Sequence, residues 1–180
     1  LETETVYRCA ERQFETAQNM TDQIASLGFI VNSRHPSKEK CLENFYRQWR
    51  NEALVVDKWF ALQATSCMPE TFAAVQSLMN HPAFDIKNPN RVRSLVGAFS
   101  QANPLHFHAE NGQGYRFLAD QGIELKTLNP QVASRMTGAL TQWRRFDESR
   151  QDRMKEQLER IINTTEISKD VFEVASKSLV

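Results

Sequence analysis

The chain has no surplus of either charge: 22 lysines and arginines are matched by 22 aspartates and glutamates over 180 residues, for a formal net charge of zero. That balance removes the long-range pull toward nucleic acid or an anionic membrane that a basic domain exerts. Long apolar runs are missing too. None approaches the roughly 20 residues needed to span a bilayer, and the N-terminus has no basic segment, apolar stretch and small-residue cleavage site in series. Cysteine is scarce: Cys9, Cys41 and Cys67 are odd in number, far apart and without a C-x-x-C pair. They read as buried or half-buried thiols of a reducing, cytoplasmic compartment rather than as a disulfide or metal framework. No Pro-, Gly- or Ser-rich linker divides the chain, so residues 1–180 read as one domain or one piece of a larger one. The opening Leu1-Glu2-Thr3 has no initiator Met and already reads as helix, which suggests a fragment.

Motifs of local chemistry are also absent. His35, His81, His106 and His108 form no H-E-x-x-H pair, which would put two imidazoles one helical turn apart on a zinc ion. His106 and His108 flank Phe107 at i and i+2, a spacing that holds metal only on extended backbone with ligands from elsewhere; they read as loop and packing histidines. There is no P-loop, no G-x-S-x-G elbow and no strand before the G-x-G at Gly112 to Gly114. Asp57 and Asp85 sit beside apolar residues, and Asp57-Lys58 reads as the charged edge of the stripe through Val56, Trp59 and Phe60. No residue qualifies as catalytic, and no metal or cofactor site is expected within the chain.

What is present is helical periodicity from end to end. Leu42, Phe45, Tyr46 and Trp49 recur at i, i+3, i+4 and i+7, as do Val92, Leu95, Val96 and Phe99. Further stripes run Val132, Met136, Ala139, Leu140, Trp143 and Met154, Leu158, Ile161, Ile162. Such spacing lays one apolar face along a helix, and sustained strand alternation appears nowhere, so the class is all-α. Ser37, Asn129 before Pro130, and Ser168 stand where N-caps are expected, and Asn111-Gly112-Gln113-Gly114 reads as a turn. About nine or ten helices result, joined by short loops, which suggests stacked helical hairpins; a compact irregular bundle is the alternative. No strict repeat period is visible.

Arginines are the residues least explained by folding alone. Arg91 and Arg93 open a helix, where the dipole favours an acid, so a carboxylate from this domain, a neighbouring one or a ligand is expected to answer them. Arg135 follows Asn129-Pro130 on a helix whose other side holds Val132 and Met136. The run from Arg144 to Arg153 mixes signs and reads as a solvated helix face rather than a phosphate stripe.

Taken in order, a series of segments resembles the C-terminal helical domain of the bacterial aminopeptidase N family, zinc metallopeptidases of the gluzincin type. The segments are Asn19-Met20-Thr21-Asp22, Phe45-Tyr46 with Trp49, Leu54-Val55-Val56-Asp57-Lys58-Trp59-Phe60-Ala61-Leu62-Gln63-Ala64, and His81-Pro82-Ala83-Phe84. They continue with Lys87-Asn88-Pro89-Asn90-Arg91-Val92-Arg93-Ser94-Leu95, Gly114-Tyr115-Arg116-Phe117-Leu118 and Asn129-Pro130-Gln131-Val132-Ala133-Ser134-Arg135.

The resemblance implies an armadillo- or HEAT-like superhelix that closes over a catalytic domain and encloses a peptide cavity. It implies a parent enzyme that releases N-terminal residues from peptides with one zinc ion. The family's H-E-x-x-H and G-x-M-E-N motifs do not occur here, so zinc, general base and amine recognition are expected in sequence this chain lacks, and the chain alone is expected to be inactive. Family arginines facing the cavity match Arg93 and Arg135, implying that they position substrate; Arg91, Tyr115, His106 and His108 are expected on the same wall. The implied partners are the catalytic and N-terminal domains of the same polypeptide and peptide substrates, with no nucleic acid and no membrane. An independent helical-repeat module that binds a protein or peptide is the competing reading.

Overall fold

The computed structural model describes residues 4–180; the helix expected at residues 1–3 lies outside them. Among the described residues twelve α-helical segments follow one another: α1 (Glu4–Thr16), α2 (Met20–Val31), α3 (Lys38–Trp49), α4 (Ala53–Ala64), α5 (Thr71–Leu78), α6 (Pro89–Val92), α7 (Ala98–Ala102), α8 (Pro104–Phe107), α9 (Gln113–Leu128), α10 (Pro130–Thr137), α11 (Glu148–Ile162) and α12 (Lys169–Leu179). A π-helical turn, Arg93–Gly97, joins α6 to α7 without a break, and a 3-10 turn, Leu140–Arg145, lies between α10 and α11. The all-α expectation holds, and the surplus over nine or ten helices consists of the short pieces α6, α7 and α8.

The helices pair and stack in two layers. One layer runs through α2, α4, the α6–π–α7 helix, α10 and α12; α1, α3, α5, α9 and α11 lie over it. Each hairpin leaves an apolar face that the next one covers, which is the armadillo-like superhelix rather than the irregular bundle. The core follows the sequence stripes: Leu42, Phe45, Val92, Leu95, Phe99, Val132, Met136, Met154, Leu158 and Ile161 are all buried. Among the described residues no helix is long and apolar enough to cross a membrane.

Polar side chains lock successive layers. The Trp59 indole N–H donates to the Leu42 carbonyl at 3.0 Å, tying α4 to α3, and the Trp49 indole donates to Gln23 Oε1 at 2.8 Å, tying α3 to α2. Asn103, itself buried, donates to the carbonyls of Ala64 and Ser66 at 2.9 Å and so satisfies the exit from α4. The Asn103 bonds pair carbonyls that the end of α4 leaves open.

Caps fall largely where expected. Asn129 Oδ1 accepts from the Val132 amide and Ser168 Oγ from the Val171 amide. Ser37 does not cap α3 through its side chain; its amide donates to His35 Nδ1 and its carbonyl accepts from Cys41. Gly112, with φ +68°, makes the left-handed turn before α9. The stripe from Val132 to Trp143 is not one helix, because α10 stops at Thr137 and the chain tightens into the 3-10 turn. The mixed-charge run divides likewise, with Arg144 and Arg145 in that turn and Asp147 capping α11 through the Arg150 amide. Cys41 is buried, whereas Cys9 and Cys67 are exposed, contrary to the expectation of buried thiols.

Candidate functional site

Asn88 starts the segment that presents the first arginine. Its side chain accepts from the amides of Asn90 and Arg91, Pro89 occupies the first helical position, and α6 begins. The chain then widens into the π turn at Arg93–Gly97, a local insertion that shifts side-chain register and recurs at functional sites. Leu95, Val96 and Phe99 are held in the core, which leaves Arg93 exposed on the opposite side. Arg135 leaves α10 in the same way: Val132, Ala133 and Met136 are buried and the arginine is exposed.

The two arginines border one open cleft of about 590 Å³, with Ala98, Gln101, Ala102 and Met136 as the rest of its wall. The α6–π–α7 helix and α10 meet closely at its floor, where the Met136 methyl lies against Gly97. Among the described residues no acid lines the cleft. Arg93 donates to the side-chain oxygen of Asn90 at 3.1 Å, a neutral partner, and Arg135 makes no hydrogen bond or ion pair among the described residues. Two guanidinium groups without an acidic partner on a partly apolar cleft can donate to an anion or to carbonyl oxygens, and they transfer no protons because they stay charged.

The other candidate residues lie elsewhere. Arg91 is buried and turned inward: it donates to Asp57 on α4 and to the carbonyls of Ala53 (2.9 Å) and Ala83 (3.0 Å). The carboxylate that answers it comes from within the domain. Tyr115 is fully buried, its hydroxyl 2.9 Å from His108 Nδ1, and burial raises its pKa. His108 stacks on Phe146 at 4.1 Å, while its carbonyl accepts from Arg150 at 2.8 Å; burial and then the Arg150 charge hold its pKa below the ordinary value. His106 is half-buried and its Nε2 has no hydrogen-bond partner among the described residues. None of these four borders the cleft. Tyr115 and His108, with Arg150, form an internal joint between α8, α9 and α11, whereas Arg91 ties α6 to α4.

Sequence reasoning missed Gln101 and the π turn. The signal was Gly97, which stands inside the stripe Val92, Leu95, Val96, Phe99 with no local reason to be glycine. Among the described residues no three His, Cys, Asp or Glu side chains come together in a way that could hold a metal ion.

Residues 1–180 match the family described as domain of unknown function DUF3458_C, ARM repeats. Aminopeptidase N of Escherichia coli is 41% identical over 168 residues, which cover 93% of this chain and 19% of that protein. The aminopeptidases N of Caulobacter vibrioides and Haemophilus influenzae are 44% and 43% identical, again over 19% of their lengths and 92% and 94% of this chain. Among solved structures, Legionella pneumophila aminopeptidase A in complex with aspartic acid superposes with a TM-score of 0.92 at 35% identity, covering 98% of this chain and 21% of that one. The chain thus spans about a fifth of the length of the relatives it matches.

Proposed function

Because the chain belongs to the DUF3458_C family of ARM repeats, we propose that it is the non-catalytic C-terminal domain of a zinc aminopeptidase, enclosing the peptide cavity over a catalytic domain of the same polypeptide. In this reading the parent enzyme releases N-terminal amino acids from peptides. Zinc, the general base and the amine-binding residues belong to the parent's other domains, and no chemical step runs through the residues described here. Arg93 and Arg135 bind the peptide's backbone carbonyls or its carboxylate end and hold the chain in line. Restricting the substrate in this way raises the effective concentration of the scissile bond at a distant centre.

The observation that carries the reading is the pairing of two arginines, without any acid, on one open cleft of a domain homologous to part of the aminopeptidases. Arg91, which faces inward, is by contrast neutralised by Asp57 within the domain.

The test is hydrolysis of an aminoacyl arylamide and of a longer peptide by zinc-loaded upstream domains, with and without this chain in trans. Addition is expected to raise kcat/KM for the peptide by about tenfold, equivalent to about 1.4 kcal/mol. Folded chains carrying Arg93→Ala and Arg135→Ala are expected to lose that gain. Association without any gain would mean that the domain acts by enclosure alone and that the arginines do not position substrate. Turnover by the isolated chain, abolished by a chelator, would overturn the non-catalytic assignment.

A further inference from the structure

A second groove lies between α3 and α5, over α4, and shares no lining residue with the arginine cleft. Its outer section, about 510 Å³, has Leu42, Trp59 and Leu78 in its floor, His81 at one end and Glu39 and Glu43 along the α3 rim. An inner section of about 80 Å³ continues from it past Glu39, Leu42, Gln63 and Ala74 to Thr71.

The charges of this groove are unbalanced. Its lysine, Lys38, is already held by Glu70 at 2.9 Å. Glu43 has a loose contact with Arg47 at 3.8 Å, and Glu39 has no ion pair among the described residues. The groove's aromatic wall is Trp59 and His81, whose rings lie 5.1 Å apart, with Tyr46 packed on His81 at 4.7 Å.

At the inner end Thr71 is 2% exposed, and its hydroxyl has no hydrogen-bond partner among the described residues. A buried hydroxyl without a partner costs free energy that a ligand's polar atom recovers.

We propose that the α3–α5 groove is a binding site for a basic peptide segment, which inserts one arginine or lysine side chain. The aliphatic stem packs on Leu42, Trp59 and Leu78, as long cationic side chains do on apolar surface. The cationic head lies between the aromatic wall and the carboxylates of Glu39 and Glu43, where cation–π and ion-pair attraction add. A polar atom of the same segment reaches the Thr71 hydroxyl. An acidic or purely apolar peptide leaves the carboxylates of Glu39 and Glu43 unanswered. The proposal does not depend on the aminopeptidase reading, since the groove and the cleft have no residue in common.

The experiment titrates the 180-residue chain, by calorimetry and by two-dimensional NMR, with an N-acetylated, C-amidated Ala-Arg-Ala-Ser peptide. The same peptide with citrulline or glutamate in place of arginine is run beside it. Binding of the arginine peptide is expected, with amide shifts confined to α3, α5 and His81. Citrulline is expected to weaken it by about fivefold, the scale of one or two exposed charge contacts. A Glu39→Gln/Glu43→Gln chain, altered only at exposed positions and shown by circular dichroism to be folded, is expected to lose a similar factor. Equal binding of the citrulline peptide, equal binding by the double variant, shifts located at the Arg93–Arg135 cleft, or no saturation below about 10 mM would each overturn the proposal.

Discussion

Arg91 of α6 and Asp57 of α4 form an inward-facing ion pair across 34 residues of sequence. The guanidinium also donates to the carbonyls of Ala53 and Ala83, so one side chain closes both the start of α4 and the loop after α5. Breaking a buried pair from one side leaves a charge without its partner, which costs about 3–5 kcal/mol when burial is complete. With side chains 11% and 18% exposed, Arg91→Met is expected to cost about 2–3 kcal/mol by urea denaturation. Arg91→Met combined with Asp57→Leu should recover part of that loss. A cost below about 0.5 kcal/mol, the range of ordinary surface changes, would show that the pair does not hold the joint.

Gly114 opens α9 against the backbone of Phe107: a Cβ there would lie 2.9 Å from the Phe107 Cα and 3.0 Å from its carbonyl carbon. Backbone cannot turn aside as a side chain can. Gly114→Ala is expected to destabilise by about 2–3 kcal/mol through overpacking, despite alanine's better helix propensity. A melting curve equal to that of the parent would mean that α8 and α9 separate at no cost.

The helices were legible because their cause is local. Leu42, Phe45 and Trp49, or Met154, Leu158 and Ile161, state their buried faces by spacing alone, and Asn129 and Ser168 state their caps by residue type. Arg93 and Arg135 could be singled out as cations beside buried stripes, and both border the cleft. Arg91 could not be separated from Arg93 by that argument, because its partner Asp57 arrives through the stacking of α4 on α6. Tyr115 was likewise indistinguishable from a wall residue until the fold placed His108 against its hydroxyl. The π turn has no local signature beyond Gly97, since one extra residue in a helix leaves the apolar spacing nearly intact.

Cys41 lies in the core of the α3 hairpin, and burial, reinforced by Glu11, pushes its thiol up to about 11 from 9.0. The folded state therefore keeps its proton longer than the unfolded state. Between pH 9 and 11 the unfolded chain ionises first and binds fewer protons, so stability falls as pH rises through that window. Cys41→Ala should flatten this slope, after its own cavity cost is subtracted. At pH 8 a thiol reagent is expected to label Cys9 and Cys67 quickly and Cys41 only on unfolding. Rapid labelling of all three would contradict the burial.

His108 and His81 carry the opposite pH signature. Both sit below the ordinary histidine value, chiefly by burial; Arg150 adds to the effect at His108, while Glu43 opposes it at His81. The unfolded chain takes up protons first as pH falls below about 6.5, so stability should decline from there toward acid. His108→Asn is expected to shrink the decline measured by denaturation at pH 5 and pH 7. An unchanged slope would mean that the imidazole titrates as freely in the folded chain as in the unfolded one.

Arg93 and Arg135 differ from Arg91 in what their removal should do. Arg91 spends its charge inside the fold, whereas Arg135 has no protein partner among the described residues and Arg93 has only Asn90. Arg93→Ala/Arg135→Ala should therefore stay within about 0.5 kcal/mol of the parent's stability, as surface substitutions do. The same change removes the charges that make the cleft attractive to an anion. If the double variant is fully stable yet fails to assist peptide hydrolysis in trans, the arginines serve a ligand. If it instead loses several kcal/mol of stability, relative to a typical total of about 5–15 kcal/mol, the two guanidiniums are part of the scaffold and the cleft must be read as packing.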